Sequence, residues 1–432
     1  MFSLPCRIRP VSCCRDCPLP CKYYCGTLPM SRDSPKSDLH PLEIVMPVAR
    51  KPESILLFVA FIVFIDMMGI GLILPVMPAL IEGITGTTID RAAEIGGWLL
   101  FAYAMMQFLF APVIGGLSDR FGRRPVLLVT LFLLGLDYAI MAWAPTLIWL
   151  FIGRIVSGIM GASWAAANSC VADVTSPAER GKYFGILGGA GAMGFVLGPG
   201  IGGVLGEYGE RLPFIAASIL ALLGTGVGIV ILQETLPKQK RRPFSIARAN
   251  PMGSILQMSR TPLVLGFLST IFVLQLAAQA QIAIWAYWLI ERFDWSILKI
   301  GLSVALFGIL LALVQGILTG PLIRKLGERR AGQFGLLFGI PAYLIFAFAP
   351  NDWFVFLGII VGAASGFAFP AMQQMMSSRI SEDAQGELQG SIASTISLTS
   401  IIGPVMMTGV FGAYADKDGF YFPGAPFILG AA

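Results

Sequence analysis

The sequence predicts an all-α membrane protein made of two pseudo-symmetric six-helix bundles. Three observations lead to this prediction: a composition that is 56% hydrophobic and 13% charged, a series of long charge-free segments, and an internal duplication. Soluble domains carry about twice this share of charged residues. The composition therefore argues against a soluble globular enzyme of 432 residues.

Eleven segments are long enough to cross a bilayer as helices, which takes about 20 apolar residues each. Eight of them contain no Asp, Glu, Lys or Arg: 95–118, 183–206, 212–233, 261–290, 300–323, 331–351, 353–378 and 388–415. Residues 54–81 contain only Asp66, and Pro145 divides residues 125–172 into two further helices. A twelfth span begins near Gly424, and its half length predicts a truncated C-terminus.

The chain carries an internal duplication with a constant offset of 205 residues. The aligned pairs are Gly96 with Gly301, Gly115 with Gly320, Gly122 with Gly327, Arg124 with Arg329, Pro145 with Pro350, Gly161 with Gly366, Gly198 with Gly403 and Pro199 with Pro404. One offset that holds through five consecutive spans predicts two six-helix halves in parallel register. Such halves are the architecture of secondary transporters, which rock around a site near the bilayer midplane.

Four regions follow from the spans and the duplication. They are a leader at 1–50, an N-terminal six-helix bundle at 51–233, a cytoplasmic central loop at 234–261 and a C-terminal bundle at 262–432 with an incomplete last helix. The net charge of +5 comes mostly from residues 1–51, where eight Lys or Arg stand against four acids. The remainder is nearly balanced, so the charge gives no sign of nucleic-acid binding.

The leader contains six of the seven cysteines and the single histidine, His40. A small zinc site is one interpretation, but paired CxxC units at a standard spacing are missing. We therefore predict no metal site and no other cofactor. The alternatives are a disordered leader and an over-extended gene start, with the true initiator at Met30 or Met46.

Lys and Arg are distributed unevenly among the predicted loops. If the N-terminus is cytoplasmic, the internal connections carry sixteen of these residues and the external connections carry five. Positively charged loops remain on the cytoplasmic side of membrane proteins. We therefore expect a multi-pass protein of the inner (plasma) membrane, embedded in the lipid bilayer, with its N-terminus and central loop in the cytoplasm.

The loop between the second and third spans, GGLSDRFGRRPV, combines glycines with charges of both signs. Its candidate gate residues are Gly115, Asp119, Arg120, Gly122, Arg123 and Arg124. Asp119 can accept hydrogen bonds from a neighbouring helix or arginine, and the arginines can bridge to carboxylates, which predicts a breakable latch. A solvated positive loop would explain the arginines alone. The loop resembles the signature GxLaDrxGrR of the major facilitator superfamily, which implies the two-bundle fold of that family.

Three charged residues, Asp66, Asp137 and Arg154, lie at membrane depth. A buried charge there costs at least about 2.5 kcal/mol, so Arg154 should face the interior and have an acidic partner. Burial disfavours an ionised carboxylate, which makes Asp66 a candidate proton carrier; a structural pair with Arg154 and snorkelling to the surface are the alternatives. In the drug/H+ antiporters of the superfamily, the arginine of an RxxxG pattern is linked to proton coupling, and Arg154 with Gly158 fits that pattern.

The fifth span contains GFVLGPGIGG, which resembles the GxxxGPxxGG signature of the exporter branch. Its signature residues are Gly194, Gly198, Pro199, Gly202 and Gly203. Glycine and proline create a bendable and closely packed helix face, which could seal a central path against the opposite half. The signature indicates the direction of transport more than the substrate.

Segments along the whole chain resemble the tetracycline/H+ antiporters, the Tet class of drug exporters. They include DMMGIGLILPVMP, YAMMQFLFAP, SDRFGRRPVLL and FDWSILKIGLSVALFGIL. The resemblance implies a proton-coupling set of Asp66, Asp137 and Arg154, and a substrate cavity with Asp66, Gln107, Gln275, Gln279 and Gln315. Some family members have a histidine in helix 8 and an acid in helix 9, where this chain has Leu311 and Gly339.

We therefore predict an antiporter, functional as a monomer, that exports a small amphipathic drug of the tetracycline kind in exchange for protons. Because of Leu311 and Gly339, the resemblance supports drug/H+ antiport more strongly than tetracycline itself. The alternative is an importer of a sugar or metabolite with the same fold. A transporter-like sensor would need a long signalling domain, and an enzyme would need a nucleophile motif that the sequence does not show.

Overall fold

The computed structural model describes residues 52–176, 179–244, 262–379, 385–417 and 419–432, and every regular element in these residues is a helix. The predicted leader and most of the central loop lie outside the described residues. The expectations about the leader cysteines and the start codon therefore stay predictions.

Eleven described helices are long and apolar enough to cross a membrane, which confirms the predicted number of full spans. They are α1 (Pro52–Ile73), α2 (Ile89–Phe121), α3 (Arg123–Ala142), α4 (Leu147–Val174), α5 (Arg180–Tyr208), α6 (Leu212–Ile231), α7 (Pro262–Phe293), α8 (Ile297–Leu326), α9 (Glu328–Phe348), α10 (Asp352–Ser377) and α11 (Gln385–Ala415). A short helix, Met77–Thr85, lies between α1 and α2, and α12 is Ala425–Ala431. We call α1–α6 the first half and α7–α12 the second half.

Three of the long helices change their winding within the membrane. A 3₁₀ turn interrupts α4 at Gly161–Ser163, and another interrupts α10 at Ser365–Phe367. The aligned residues Gly161 and Gly366 fall in these two turns, so the duplication extends to the helix breaks. In α8 a π-helical turn occupies Val314–Leu318, a type of irregularity that is frequent at functional sites.

Two aligned glycines also share a backbone conformation. Gly122 separates α2 from α3 with φ 108°, and Gly327 separates α8 from α9 with φ 79°. These positive φ values are strained for residues with a Cβ, whereas glycine adopts them readily. The tight connection is therefore the same in both halves.

Glycines of α5 bring its backbone against α1 inside the first half. A Cβ on Gly198 would lie 2.7 Å from the Met68 carbonyl oxygen, and a Cβ on Gly202 would lie 2.9 Å from the Leu72 Cα. Gly194 meets the Phe64 carbonyl in the same way. This is the close packing through small residues that holds membrane helices together.

Aromatic side chains anchor the short helix α12 in the second half. Phe427 is fully buried, and its ring centroid lies 4.9 Å from that of Trp288 and 5.4 Å from that of Phe346. Trp285 meets Phe346 edge-on at 5.0 Å. The edge-to-face geometry of the Trp288–Phe427 and Trp285–Phe346 pairs adds to the stabilisation from their buried area.

Candidate functional site

A cavity of about 830 Å³ lies between the two halves. Residues of α1, α2 and α5 and Arg154 of α4 form one wall, and α7 to α10 form most of the other. Its size falls within the range of sites that enclose drug-sized molecules. Among the described residues that line it, Arg154 is the only one with a charged side chain, and Gln275, Gln281 and Gln315 add hydrogen-bonding groups.

The halves are in close contact at one end of the cavity. α2 packs on α11, where a Cβ on Gly97 would lie 3.0 Å from the Cβ of Thr408. α5 packs on α8, where a Cβ on Gly301 would lie 2.8 Å from the Cα of Gly203 and would overlap the Pro199 carbonyl. Of the predicted exporter signature, Gly203 and the Pro199 carbonyl therefore face the opposite half, whereas the Pro199 ring lies against Gly71 of α1.

The other signature residues, Gly194, Gly198 and Gly202, pack on α1 instead. The expectation that the whole signature seals the path against the second half therefore needs a correction. Glycines spaced four apart share one face of a helix, and in this fold that face meets the neighbour within the same half.

A hydrogen bond joins the two halves at this closed end. Glu207, in the last turn of α5, accepts from the backbone N–H of Leu298 in the first turn of α8 over 2.9 Å. The carboxylate also lies at the positive end of the α8 dipole. Glu207 could not be recognised from the sequence, because its partner is a backbone group and leaves no sequence pattern.

Acidic side chains from both halves surround the closed end. Burial raises the pKa of Glu82, and the neighbouring carboxylates of Glu291 and Glu210 raise it further. Glu291 lies 3.1 Å from the Lys417 ammonium and accepts from the Tyr421 hydroxyl over 3.0 Å. Burial, with this hydrogen bond and the Glu291 charge, raises the pKa of Tyr421 to about 12.

At the opposite end α5 and α8 separate. A Cβ on Gly181 or Gly185 of α5 would meet no atom within 4 Å, and the same holds for Gly316 of α8. The loop that contains Asp119 and the connection at Gly327 lie at this end. The cavity is therefore closed on one side of the molecule and open toward these two loops.

The structure brings the three predicted membrane charges into the first half but does not join them by ion pairs. Asp66 is 3% exposed, and its Oδ2 has no hydrogen-bond partner among the described residues. Asp137 accepts from the Ser157 hydroxyl. Arg154 is 5% exposed and donates to the Met141 sulfur over 3.3 Å.

Arg154 therefore lacks the acidic partner that the sequence predicts, within 4 Å and among the described residues. Its guanidinium lies 5.9 Å from the ring centroid of Tyr103, and its Nε has no hydrogen-bond partner there. Ser157, one turn further along α4, donates to the carboxylate of Asp137 instead. Arg154 instead presents its charge to the cavity.

The predicted cavity residues divide into two groups. Gln275 and Gln315 line the cavity, whereas Asp66, Gln107 and Gln279 lie outside its wall in this conformation. Gln107 donates to the Tyr103 hydroxyl over 3.2 Å and to the Gly161 carbonyl over 3.3 Å, and so supports the 3₁₀ turn of α4. Gln279 is 5% exposed and packs on Gly403 of α11.

Arg123 is the centre of the predicted gate loop. Its side chain is 7% exposed and forms ion pairs of 2.6 Å with Asp119 and 2.9 Å with Asp173 at the end of α4. It also donates to the Ser118 hydroxyl over 2.6 Å. One guanidinium thus ties α2, α3 and α4 together through charge-assisted bonds.

The segment after α6 folds back onto the same loop. Glu234 accepts from the backbone N–H of Arg123 over 2.9 Å and pairs with the Arg241 guanidinium at 3.5 Å. The Arg242 N–H donates to the Asp119 carbonyl over 3.1 Å. Asp173 and Glu234 were not among the predicted gate residues; their only sequence signal is that both are acids on the side of the arginine-rich loop.

The remaining gate residues bind within the first half as well. Arg124 donates to the Ile229 carbonyl of α6 over 2.7 Å rather than to a carboxylate, and Arg120 lies 5.1 Å from the Phe121 ring centroid. A Cβ on Gly115 would meet only Ala165, at 3.8 Å. The loop is therefore an intact cluster of one half, on the side where the halves are apart.

The chain matches a known protein family over most of its length. The family model described as Major Facilitator Superfamily matches residues 59–404, most of the described chain. The chain belongs to the major facilitator superfamily. Together with the eleven apolar helices, this membership makes it a multi-pass membrane protein.

Drug-resistance proteins of this superfamily are similar to the chain over most of their length. The class C tetracycline resistance protein of Escherichia coli is 41% identical over 88% of this chain and 95% of its own. The class G tetracycline resistance protein of Vibrio anguillarum is 40% identical over 82% and 89%. These relatives support facilitator-type drug efflux and a location in the inner membrane.

Solved facilitator structures show the same fold. The human organic anion transporter MFSD10 superimposes with a TM-score of 0.63 at 24% identity, over 88% of this chain and 98% of that one. The nucleoside transporter NupG superimposes with a TM-score of 0.67 at 13% identity, over 87% and 95%. At these identities the likeness concerns the fold alone.

Two positions at which the facilitator departs from the Tet pattern face its cavity. Leu311 of α8 and Gly339 of α9 both line the wall formed by the second half. Their neighbours Ser365 and Gly366 belong to the 3₁₀ turn of α10. This part of the wall contains no ionisable side chain among the described residues.

Proposed function

We propose that this facilitator exports a small amphipathic drug of the tetracycline kind from the cytoplasm in exchange for protons. The observation that carries the proposal is the cavity between two similar halves, closed at one end only, in a chain that is 41% identical to a tetracycline resistance protein. A cavity that opens to one side at a time is what alternating access requires.

The open end of the cavity faces the cytoplasm in this proposal. The loops at that end are rich in Lys and Arg, and such loops remain on the inner side of a membrane. The conformation is then inward-facing, ready to take cargo from the cytoplasm. Export follows when the Glu207 end opens and the end with the Arg123 cluster closes.

Protons enter through carboxylates of the first half. Asp66 and Asp137 are buried at 3% and 2% exposure, and none of the described residues in the second-half wall of the cavity is an acid. A buried carboxylate without a counter-charge is costly, so loss or gain of a proton changes the stability of the state that buries it. Arg154 presents a positive charge near these acids and contributes to that dependence.

Exchange requires that cargo and protons favour different states. If both bound equally well to inward-facing and outward-facing forms, neither could drive the other. We infer that the inward-facing form accommodates the protonated carboxyl groups, and that bound cargo favours the change to the outward-facing form. The chain acts as a monomer in this scheme, because one chain encloses the cavity.

The proposal is tested with inverted membrane vesicles, whose cytoplasmic side faces outward. Respiration acidifies the interior, and we expect radiolabelled tetracycline to accumulate until an uncoupler collapses the gradient. Asp66→Asn should abolish this accumulation. The matched control is Asp294→Asn, because Asp294 is exposed and its φ of 50° suits asparagine equally well.

Accumulation that persists after the uncoupler would contradict proton coupling. The importer would be favoured if a sugar or metabolite left these vesicles under the gradient and entered right-side-out vesicles. Unchanged uptake by Asp66→Asn would remove Asp66 from the mechanism.

A further inference from the structure

Three helices of the second half meet in an irregular part of the cavity wall. The π-helical turn of α8 packs against the 3₁₀ turn of α10, and α9 packs against that 3₁₀ turn. Leu311, Gly339, Ser365 and Gly366 line the cavity there, and we call this part of the wall the recess. Broken helices in membrane proteins are tolerated where they border a cavity.

Gly339 leaves unfilled space in the recess. A Cβ at this position would meet only the Ser365 Cβ, at the ordinary contact distance of 3.8 Å. Gly335, one turn earlier on α9, differs because a Cβ there would lie 2.8 Å from the Ala368 Cβ and overlap its backbone nitrogen. Packing therefore requires glycine at 335, whereas glycine at 339 only enlarges the cavity.

Gly366 fixes the position of Leu311. A Cβ on Gly366 would lie 2.5 Å from the Leu311 Cδ1, and 3.5 Å from the Val314 Cγ1. The isobutyl group of Leu311 thus rests directly on the glycine backbone. Because that group is the free end of a flexible side chain, an added methyl at 366 would displace it into the cavity rather than separate α8 from α10.

The chemistry of the recess is apolar. Leu311 and the glycine backbones form its surface, and Phe307 and Phe369 lie in the same wall. The Ser365 hydroxyl is already occupied, because it donates to the Gly362 carbonyl over 2.7 Å. Gln315, whose Cγ would lie 3.6 Å from a Cβ on Gly366, is a polar neighbour of the recess. A charged group placed there would still lose its hydration without gaining a counter-charge from the described residues of the second-half wall.

We propose that the recess receives an apolar substituent of the cargo, and that Gly339 and Gly366 determine how large that substituent is. The inference rests on the proposed function, since it assigns part of the same cavity to part of the same cargo. Gly339 provides the depth of the recess, and Gly366 keeps Leu311 out of it.

Binding to the purified full chain tests the recess without depending on proton coupling. The probes are doxycycline and a panel of its derivatives that carry one tert-butyl group at different ring positions. In the unmodified chain we expect at least one derivative to bind as tightly as doxycycline. Gly339→Leu should weaken binding of that derivative at least about tenfold more than binding of doxycycline.

Gly366→Ala should displace Leu311 and thereby also weaken binding of the derivative relative to binding of doxycycline. Removing the displaced side chain in the double variant Gly366→Ala/Leu311→Ala should restore the binding ratio. The matched control is Gly409→Leu in α11, where a Cβ would meet no atom within 4 Å and the residue is exposed outside the cavity.

Equal weakening of doxycycline and every derivative by Gly339→Leu would overturn the recess as a specificity site, as would an unchanged ratio. Failure of the double variant to restore the ratio would overturn the role of Gly366. If the unmodified chain binds none of the probes, both the proposed cargo and the recess are wrong. If binding ratios shift as expected but vesicles show no proton-dependent uptake, only the proposed coupling fails.

Discussion

Arg123 shows how much of the gate loop depends on one side chain. Its guanidinium contacts Asp119, Asp173 and Ser118, and its backbone N–H is bound by Glu234. A planar guanidinium can serve several acceptors at fixed angles, which a lysine ammonium cannot do in the same way. The neighbouring Arg120 is exposed, and its one contact with the described part of the chain is with the Phe121 ring.

We expect Arg123→Gln to destabilise the first half, because it leaves Asp119 and Asp173 without their ion pairs. Breaking a fully buried pair costs about 3–5 kcal/mol, and the 44% exposure of Asp119 reduces this to about 2 kcal/mol. Thermal unfolding of the detergent-solubilised protein measures the change. Arg120→Gln is the control, and an equal loss of stability in both variants would contradict the central role of Arg123.

For single residues, the sequence predicted which groups at membrane depth carry charge but not which partner each of them contacts. Asp66, Asp137 and Arg154 stand out in an apolar sequence because a charge in lipid is costly. Their partners depend on rotamers and on helix rotation, so Ser157 and Met141, which carry no charge, could not be predicted. Glu207 escaped notice for the same reason, because it binds a backbone amide of the other half.

The glycines of α5 differ in whether the packing of the helix requires them. Gly202 faces the α1 backbone, whereas a Cβ on Gly188 would meet no atom within 4 Å. Both belong to one glycine-rich helix, and the sequence alone gives them the same weight. Only the rotation of the helix in the fold distinguishes them.

We expect Gly202→Ala to lower the melting temperature because the added methyl would press α5 away from α1. Gly188→Ala should leave it unchanged or raise it slightly, since alanine favours helix over glycine by about 0.5–1 kcal/mol. Melting curves of the two variants, recorded side by side, check this. Comparable destabilisation by both would show that the α1–α5 contact does not depend on close backbone approach.

Composition predicted the eleven spans because crossing a bilayer is a matter of length and polarity. It did not predict the 3₁₀ turns of α4 and α10 or the π-helical turn of α8. Such changes in winding depend on what packs against the helix. The sequence therefore located the cavity between the halves, but the shape of its wall required the structure.

For the molecule as a whole, the contacts at the closed end decide which side is open. α2 with α11 and α5 with α8 close that end through glycine contacts, and Glu207 adds a hydrogen bond across the halves. The acidic side chains around them oppose closure, since Glu82 of the first half lies near Glu291 of the second.

We expect Glu207→Ala to shift the molecule toward opening at this end. Spin labels at Tyr208 and Trp353, which are 82% and 80% exposed, report the separation of the halves by double electron–electron resonance. The labels require a background without the native cysteines. Glu210→Ala removes a similar charge but not the hydrogen bond. If the distances between the labels do not lengthen in Glu207→Ala, the Glu207 hydrogen bond does not hold this end closed.

Closure of this end should depend on pH through Glu82. Its pKa is raised in the closed form, so that form binds the proton more readily than a form in which Glu82 and Glu291 are apart. Closure is then favoured as the pH falls toward the ordinary pKa of a glutamate and is weakened as the pH rises through the raised value. The same spin-label pair measures this, and Glu82→Gln should remove most of the response. A pH response that is unchanged in Glu82→Gln would assign it to another group.

The Arg123 cluster has a consequence for the speed of turnover. Its ion pairs join segments of the first half only, so swinging one half against the other leaves every one of them in place. The first half can therefore move as a rigid body, without local unfolding. The resistance to that motion then comes from the few contacts between the halves at the closed end. A small number of substitutions there can therefore change the rate of cycling.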